Sequence, residues 1–168
     1  MEQDLINQLI KQWSEIRPDL NPCAMRTSGR LLRLSKVMER RVEVLLKRFN
    51  LSLWQFDVLA TLRRNDCDLS PGELLKATML TSGAMTHRLD RLETAGLIKR
   101  SPDPNDRRGV RIFLTDKGGE LVDQAIEARF AEANRIERYL TAHEAETFAG
   151  LLQKLDFNLI QADEPEER

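Results

Sequence analysis

The sequence predicts a mainly α-helical fold with one small β-hairpin, and three observations in residues 51–115 support this prediction. Two helix starts carry capping signals: Ser52 stands three residues before Gln55, and Ser70 opens the run Ser-Pro-Gly-Glu. A third helix follows and ends at Gly96, a residue type that stops helices by adopting a left-handed conformation. Two short runs of strand character then flank a loop with two prolines and a glycine, which completes the order helix, helix, helix, hairpin.

Three helices are predicted before and at the start of this segment. The first ends before Pro18, and a longer helix then carries apolar residues at intervals of three and four from Leu31 to Phe49. The helix over 53–64 is apolar around most of its circumference, which predicts a central position. Asp57 lies within that apolar run, so it needs either a partner or an opening, because unpaired burial of a carboxylate is costly. The apolar stripe of the first helix consists of Leu5, Leu9, Trp13 and Ile16.

The helix before Gly96 has two different faces. Met85, Leu89 and Leu92 form an apolar stripe, whereas the opposite face is small and polar near the start of the helix. Such a face fits the major groove of DNA, where the first turns of a recognition helix contact base edges. The alternative is an ordinary solvated face. The candidate base-contacting residues on this helix are Ser82, Thr86, His87 and Arg91.

The predicted hairpin pairs a strand over 97–100 with a strand over 110–114. Two adjacent arginines, Arg107 and Arg108, lie at its tip, where they contribute little to stability but can enter a narrow minor groove or contact phosphates. Asp106 is placed to brace the Arg108 guanidinium through a bidentate pair. A helix-turn-helix followed by an arginine-tipped hairpin is a winged helix-turn-helix.

Two long helices complete the chain. The first follows Thr115 and is predicted to reach about Leu140, and the second begins with a capping box formed by Thr141 and Glu144. Their apolar stripes need burial, and an intertwined homodimer would supply it. The apolar stripe of the last helix consists of Phe148, Leu151, Leu152, Leu155 and Leu159.

The predicted fold is therefore a winged helix-turn-helix with an added helical dimerisation region. Four regions are predicted along the chain. They are N-terminal helices for packing and dimerisation (1–50), the winged helix-turn-helix (51–115), C-terminal dimerisation helices (116–162) and an acidic tail (163–168).

The composition narrows the possible functions. The 168 residues carry a net charge of −1, but basic residues collect between Arg88 and Arg111 while acidic residues collect at both termini. A basic lobe on a neutral body predicts salt-dependent binding to double-stranded DNA. No segment approaches the ~20 apolar residues of a membrane span, and the acidic N-terminus, Met1-Glu2-Gln3-Asp4, lacks the basic and apolar regions of a secretory signal, so a cytoplasmic location is expected. With two histidines, no phosphate loop and no nucleophile elbow, we expect no enzyme, no metal and no cofactor.

The two cysteines leave one alternative function open. Cys23 and Cys67 are far apart in the sequence and form no Cys-x-x-Cys motif. Two free thiols in a reduced compartment are the plain interpretation. The alternative is a thiol-based redox-sensing regulator that uses Cys23 or Cys67, which would require a nearby base or helix N-terminus to activate the thiol.

The motifs of this central segment resemble those of the MarR family of bacterial transcriptional regulators. The matching runs are Leu-Thr-Ser-Gly-Ala-Met-Thr-His-Arg-Leu-Asp-Arg-Leu-Glu (80–93), Gly-Leu-Ile (96–98), Asp-Arg-Arg-Gly (106–109) and Leu-Thr (114–115). The resemblance implies a homodimer formed by the first and last helices. It also implies a repressor that binds a pseudo-palindromic operator, with half-sites ~34 Å apart.

One branch of that family responds to urate, and the chain is similar to this branch at three places: Trp13, Asp57 and Arg88. The resemblance implies that an anionic aromatic ligand, either urate or a phenolic acid, releases the protein from DNA. An indole can stack on a planar ring, and a guanidinium can receive its charge. The alternatives are packing or dimer contacts for Trp13 and a structural ion pair between Asp57 and Arg88.

Overall fold

The computed structural model describes residues 4–65, 67–78, 85–104, 106 and 109–163, with Ala162 and Asp163 described by their backbone alone. The described chain divides into two units, residues 1–125 and residues 126–168, with the boundary inside α6. The helices are α1 (Leu5–Ile16), α2 (Met25–Leu46), α3 (Leu53–Asn65), α4 (Pro71–Ala77), α5 (Met85–Thr94), α6 (Asp116–Glu137) and α7 (Ala142–Asp163). The strands are β1 (Ile98–Pro102) and β2 (Val110–Leu114), and 3₁₀ turns occur at Pro22–Ala24 and Lys47–Phe49.

The predicted helix starts are present at α3 and α4. The Ser70 hydroxyl accepts a hydrogen bond from the Glu73 amide at 3.2 Å, and the Glu73 carboxylate accepts one from the Ser70 amide at 2.7 Å. At α3, the Gln55 side-chain oxygen accepts hydrogen bonds from both the amide and the hydroxyl of Ser52, each at 2.9 Å. At α4 the two contacts form the complete capping box, whereas at α3 they satisfy the Ser52 amide and the Ser52 hydroxyl donates to Gln55. The predicted start of α5 at Thr81 or Ser82 lies outside the described residues.

The core of the first unit is formed where α3, α4, α5 and the hairpin meet. Met85, Leu89 and Leu92 are all buried, so the predicted inner stripe of α5 is confirmed. Burying each such side chain stabilises a fold by roughly 1.5–3 kcal/mol. The central position predicted for α3 is also confirmed, because the helix has four buried residues and contacts α2, α4 and β2. The largest fully buried residues are Leu46, Val58, Leu59, Thr61, Leu74, Leu89, Leu92, Ile98, Ile112 and Val122.

The end of α5 directs the chain into the hairpin. Gly96 has a φ of 70°, as predicted for a left-handed stop. Its amide donates to the Glu93 carbonyl at 2.8 Å, and the Leu97 amide donates to the Leu92 carbonyl at 3.0 Å. This pair of bonds is a Schellman motif. The first turn of α6 lies against the same place, because a Cβ added at Gly118 would come within 2.0 Å of the Leu97 carbonyl oxygen.

The two strands pair antiparallel, with Ile98 opposite Leu114 and Pro102 opposite Val110. The sequence prediction placed Ser101 and Pro102 in the loop, and this was wrong, because both residues lie in β1. Proline is tolerated there because the last residue of a two-stranded edge can lack an amide donor without breaking the ladder. An isolated bridge between Leu69 and Ile112 also joins the segment before α4 to β2.

The helices of the second unit and the first helix expose apolar residues. The helix α6 ends at Glu137 instead of the predicted Leu140, because the next residues form tighter turns before the Thr141 cap. The apolar stripe of α7 is exposed, and so are several residues of α1, although α1 packs against α2 through the buried Ile6. No helix in the described ranges is both long and apolar enough to cross a bilayer. The exposed members are Leu5, Trp13, Ile16, Phe148, Leu151, Leu155 and Leu159.

Candidate nucleic-acid interface

The polar face of α5 is open to solvent. Thr86 and His87, two of the candidate base-contacting residues, are exposed on its first turns. Arg91 is exposed as well, but its guanidinium lies over the Trp54 ring of α3, 5.7 Å from the ring centroid. The structure therefore places Arg91 at the flank of this face, beside α3. The candidates Ser82, Arg107 and Arg108 lie outside the described residues.

The hairpin holds the opposite flank of α5 through Arg100, which extends from β1. The Arg100 guanidinium contacts the carboxylates of Asp90 at 2.7 Å and Glu93 at 2.8 Å. Its backbone amide also donates to Glu93, at 3.1 Å. Sequence reasoning counted Arg100 only as a basic charge. The signal that identifies its role is the pair of carboxylates three residues apart on one face of α5.

Arg111 connects the hairpin to the segment before α4, and sequence reasoning missed this role too. From β2, its guanidinium donates to the Asp68 carboxylate at 2.6 Å, the Asp68 carbonyl at 2.8 Å and the Glu73 carboxylate at 2.8 Å. Glu73 is also the capping residue of α4, so one carboxylate stabilises both the helix start and the hairpin contact. Two arginines assigned to the predicted basic lobe are therefore neutralised internally, which leaves a smaller positive surface for DNA.

These ion pairs predict an acid-sensitive contribution to stability from the Arg111 contacts. The Arg111 guanidinium holds the pKa of Asp68 below its ordinary range. The Ser70 hydrogen bonds, together with Arg111, lower the pKa of Glu73. Since both pKa values are lower in the folded state, the stabilisation is present at neutral pH. It is lost as the pH falls through the folded values, when the carboxylates become protonated.

We therefore expect Arg111→Met to lower the free energy of unfolding at neutral pH, and we expect the difference from wild type to decrease as the pH falls through the lowered pKa values of Asp68 and Glu73. Urea unfolding across this pH range measures the difference. The matched control is Arg17→Met, because Arg17 forms a similar but more exposed pair with Asp19 and surface pairs contribute little. A deficit for Arg111→Met that does not change with pH would show that the ion pairs are not its source.

The hairpin tip is closed by backbone hydrogen bonds. The Asp103 amide donates to the Gly109 carbonyl at 3.0 Å, and the Gly109 amide donates to the Asp106 carbonyl at 2.9 Å. Asp106 therefore lies in the turn that leads into β2. The predicted brace from its carboxylate to Arg108 lies outside the described residues.

Of the three candidate ligand-binding residues, two lie near the contact between α3 and α5. The Arg88 guanidinium is 5.7 Å from the Trp54 ring centroid, and Asp57 is half-buried one turn after Trp54. One guanidinium nitrogen of Arg88, Nη1, is buried and has no hydrogen-bond partner. A buried charged donor without a partner costs free energy, so this position favours an anionic acceptor. Trp13 is not part of this contact: it lies on α1 and is 45% exposed.

The thiol alternative rests on two accessible cysteines. Cys23 lies in the turn before α2, and Cys67 lies between α3 and α4, where it lines a cavity with Phe113 and Asp116. Both cysteines are exposed, and neither is paired in a disulfide. Redox sensing by either thiol stays a prediction. Within the described ranges, no cluster of three histidine, cysteine or acidic residues is arranged to hold a metal ion.

Comparison with known proteins gives consistent matches. Residues 51–110 match the model of the MarR family. The transcriptional regulator PecS of Dickeya dadantii is 34% identical over 157 residues, covering 92% of this chain and 95% of PecS. The multiple antibiotic resistance protein MarR of Escherichia coli is 33% identical over 129 residues, covering 76% of this chain and 89% of MarR.

Solved structures show the same fold. A cysteine-to-serine variant of E. coli MarR in complex with operator DNA superimposes with a TM-score of 0.68 at 31% identity, covering 85% of this chain and 96% of that one. The MepR–DNA complex of S. aureus superimposes with a TM-score of 0.72 at 24% identity, covering 79% and 97% of the two chains. Family and relatives are transcriptional regulators, not enzymes. The chain therefore belongs to the MarR family of winged helix-turn-helix transcriptional regulators.

Proposed function

We propose that the protein is a homodimeric repressor that binds a pseudo-palindromic DNA operator and leaves it when a small aromatic anion binds. The observation that supports the DNA-binding part of this proposal is the way in which neighbouring residues hold α5 in place. Trp54 contacts one flank and Arg100 the other, so that Thr86 and His87 stay exposed between them. A helix held at both flanks with a polar outer face suits the major groove. Similarity to E. coli MarR, crystallised with operator DNA, supports this orientation.

The exposed apolar residues of α1 and α7 support the homodimer. On each helix, large apolar side chains exposed on a single chain mark an interaction surface, because water-exposed apolar area is costly. A second copy would cover these helix faces and would place two α5 helices for two half-sites about one DNA turn, ~34 Å, apart. Such a regulator acts where the chromosome lies, so we place it in the bacterial cytoplasm.

The hairpin tip is proposed to contact the minor groove or phosphates through Arg107 and Arg108. We expect Arg108→Ala to weaken binding to all DNA sequences, because a phosphate or minor-groove contact contributes charge more than base discrimination. A mobility-shift titration on operator and unrelated duplexes measures this. We expect the slope of log affinity against log salt concentration to decrease by roughly one counterion. The control is Arg129→Ala on α6, which removes the same charge from another element. Unchanged operator affinity for Arg108→Ala would contradict the assignment of the tip.

The effector is proposed to bind where α3 meets α5. An anionic oxygen at Arg88 Nη1 would satisfy the buried donor, and the Trp54 ring next to it offers an aromatic surface for a planar ligand. Asp57 borders this place on α3. Trp13 lies on α1, so it would contribute to this site only if the bound ligand or the partner copy also contacts α1. Urate fits this chemistry, and phenolic acids such as salicylate are the alternative.

A titration distinguishes the two ligand classes. We expect urate to quench tryptophan emission and to release operator DNA in a graded manner, with a coupling of ~5–150-fold in operator affinity. Arg88→Gln is expected to remove the response, because it deletes the cation that receives the anion. Arg33→Gln, at an exposed position of α2, serves as the matched loss of an arginine. Release by salicylate alone would favour a phenolic acid, and no response to either would refute the effector assignment.

A further inference from the structure

Trp54 contacts two guanidinium groups at once. Arg88 and Arg91 stand three residues apart on α5, and each guanidinium carbon is 5.7 Å from the centroid of the Trp54 ring. Both lie within the range in which a cation is attracted to the face of an indole. Two like charges that share one ring also repel each other, and near a protein surface this repulsion is larger than in bulk water.

The two guanidinium groups differ in their surroundings. Arg91 is exposed at the flank of the polar face of α5, within the proposed reach of DNA. Arg88 is half-buried, and its Nη1 atom has no hydrogen-bond partner. The indole of Trp54 therefore contacts both a guanidinium with an unsatisfied buried donor and a guanidinium that is exposed on the polar face of α5.

We propose that Trp54 is a positioning residue that couples the effector to DNA binding by controlling Arg91. An anion at Arg88 neutralises the neighbouring charge and lowers the repulsion on Arg91. Arg91 then remains over the indole and is withdrawn from DNA. Without the anion, repulsion from Arg88 favours the release of Arg91 to the operator. This inference rests on the proposed function and names Trp54 as the link between its two sites.

The first arm of the test follows Trp54 directly and needs no effector. The chain has two tryptophans, so Trp13→Phe leaves Trp54 as the only indole. A short duplex carrying the inverted repeat from the DNA beside the gene is titrated into this variant. Trp54 emission is expected to change on saturation, because Arg91 leaves the ring. The change is expected to be largely lost in Trp13→Phe/Arg91→Ala. Saturated binding without a change in Trp54 emission would overturn the proposal.

The second arm compares operator affinity with and without urate in wild type, Trp54→Leu and Trp54→Phe. Trp54→Leu is expected to lose about threefold or more of the ratio between operator affinity without urate and operator affinity at saturating urate, since a cation–ring contact is lost. Trp54→Phe keeps an aromatic face and is expected to retain part of the effect. Circular dichroism confirms folding. Phe113→Leu is the control, because Phe113 contacts Lys99 at the same 5.7 Å on the hairpin.

The outcomes separate the proposal from the function on which it rests. If Trp54→Leu weakens operator binding but keeps the wild-type ratio with and without urate, Trp54 has only a packing role and the coupling is refuted. If urate leaves wild-type operator affinity unchanged, the effector assignment fails, and the first arm still decides whether Arg91 leaves Trp54 on binding DNA. If the duplex is not bound at all, the proposed function and this inference both fail.

Discussion

Gly118→Ala is expected to lower the free energy of unfolding by about 1–3 kcal/mol, the usual cost of forcing an added carbon into filled space. A Cβ at this position would meet the Leu97 carbonyl oxygen at 2.0 Å and its carbon at 2.9 Å. Both are backbone atoms at the entry to the hairpin, so neither can rotate away as a side chain would. The gain in helix propensity from alanine is too small to offset this contact.

The adjacent glycine provides the control. A Cβ at Gly119 meets nothing within 4 Å, so Gly119→Ala is expected to stabilise the protein by about 0.4–1 kcal/mol. Urea unfolding of the two variants measures the difference, and thermal melting is expected to show shifts of opposite sign. Equal stability of the two variants would mean that the first turn of α6 does not pack against Leu97 in solution.

Leu155→Glu is expected to convert the proposed dimer into monomers and to weaken operator binding by roughly 10²–10⁴-fold, because two linked half-sites then act separately. Leu155 lies on the exposed apolar stripe of α7 and is 39% exposed on a single chain. A carboxylate there would have to be desolvated for a second copy to bind. The fold of the single chain is expected to persist, because this side chain is not part of the core.

Light scattering and mobility-shift titration measure the two effects on the same sample. Gln153→Glu adds the same charge at an exposed position of α7 away from the stripe, and it is expected to leave the mass and the affinity unchanged. A Leu155→Glu protein that stays dimeric would exclude this stripe as the dimer contact. If the variant is monomeric and still binds the operator with wild-type affinity, operator binding does not require a dimer.

The local signals in the sequence predicted the helices and strands well. The capping residues Ser70 and Glu73, the left-handed Gly96 and the inner stripe of α5 all occur as predicted. Each of these features depends on interactions between residues that are close in the sequence, so the sequence alone predicts it. The end of β1 was harder to predict, because Pro102 pairs with Val110 only once the two strands have met.

The roles of individual arginines could not be predicted in this way. Arg100 and Arg111 look like any other basic residue near a recognition helix, yet each is bound by carboxylates of other elements. Arg91 was assigned to DNA from its helical position, and the structure adds its contact with Trp54. These contacts join residues up to 43 positions apart, and their partners are set by how the elements pack.

By itself, the sequence determined the order of the elements, the inner face of α5 and the family, because periodicity, capping signals and motifs depend on residues that are close in the sequence. Only the tertiary structure decided which arginine side chains are paired within the protein and which remain available to bind DNA or a ligand. It paired Arg111 with Asp68, left Arg88 Nη1 without an acceptor and placed one indole against two guanidinium groups. The physical reason is that a guanidinium is a long, flexible group, and its partner is chosen by the surfaces that packing brings within a few ångströms.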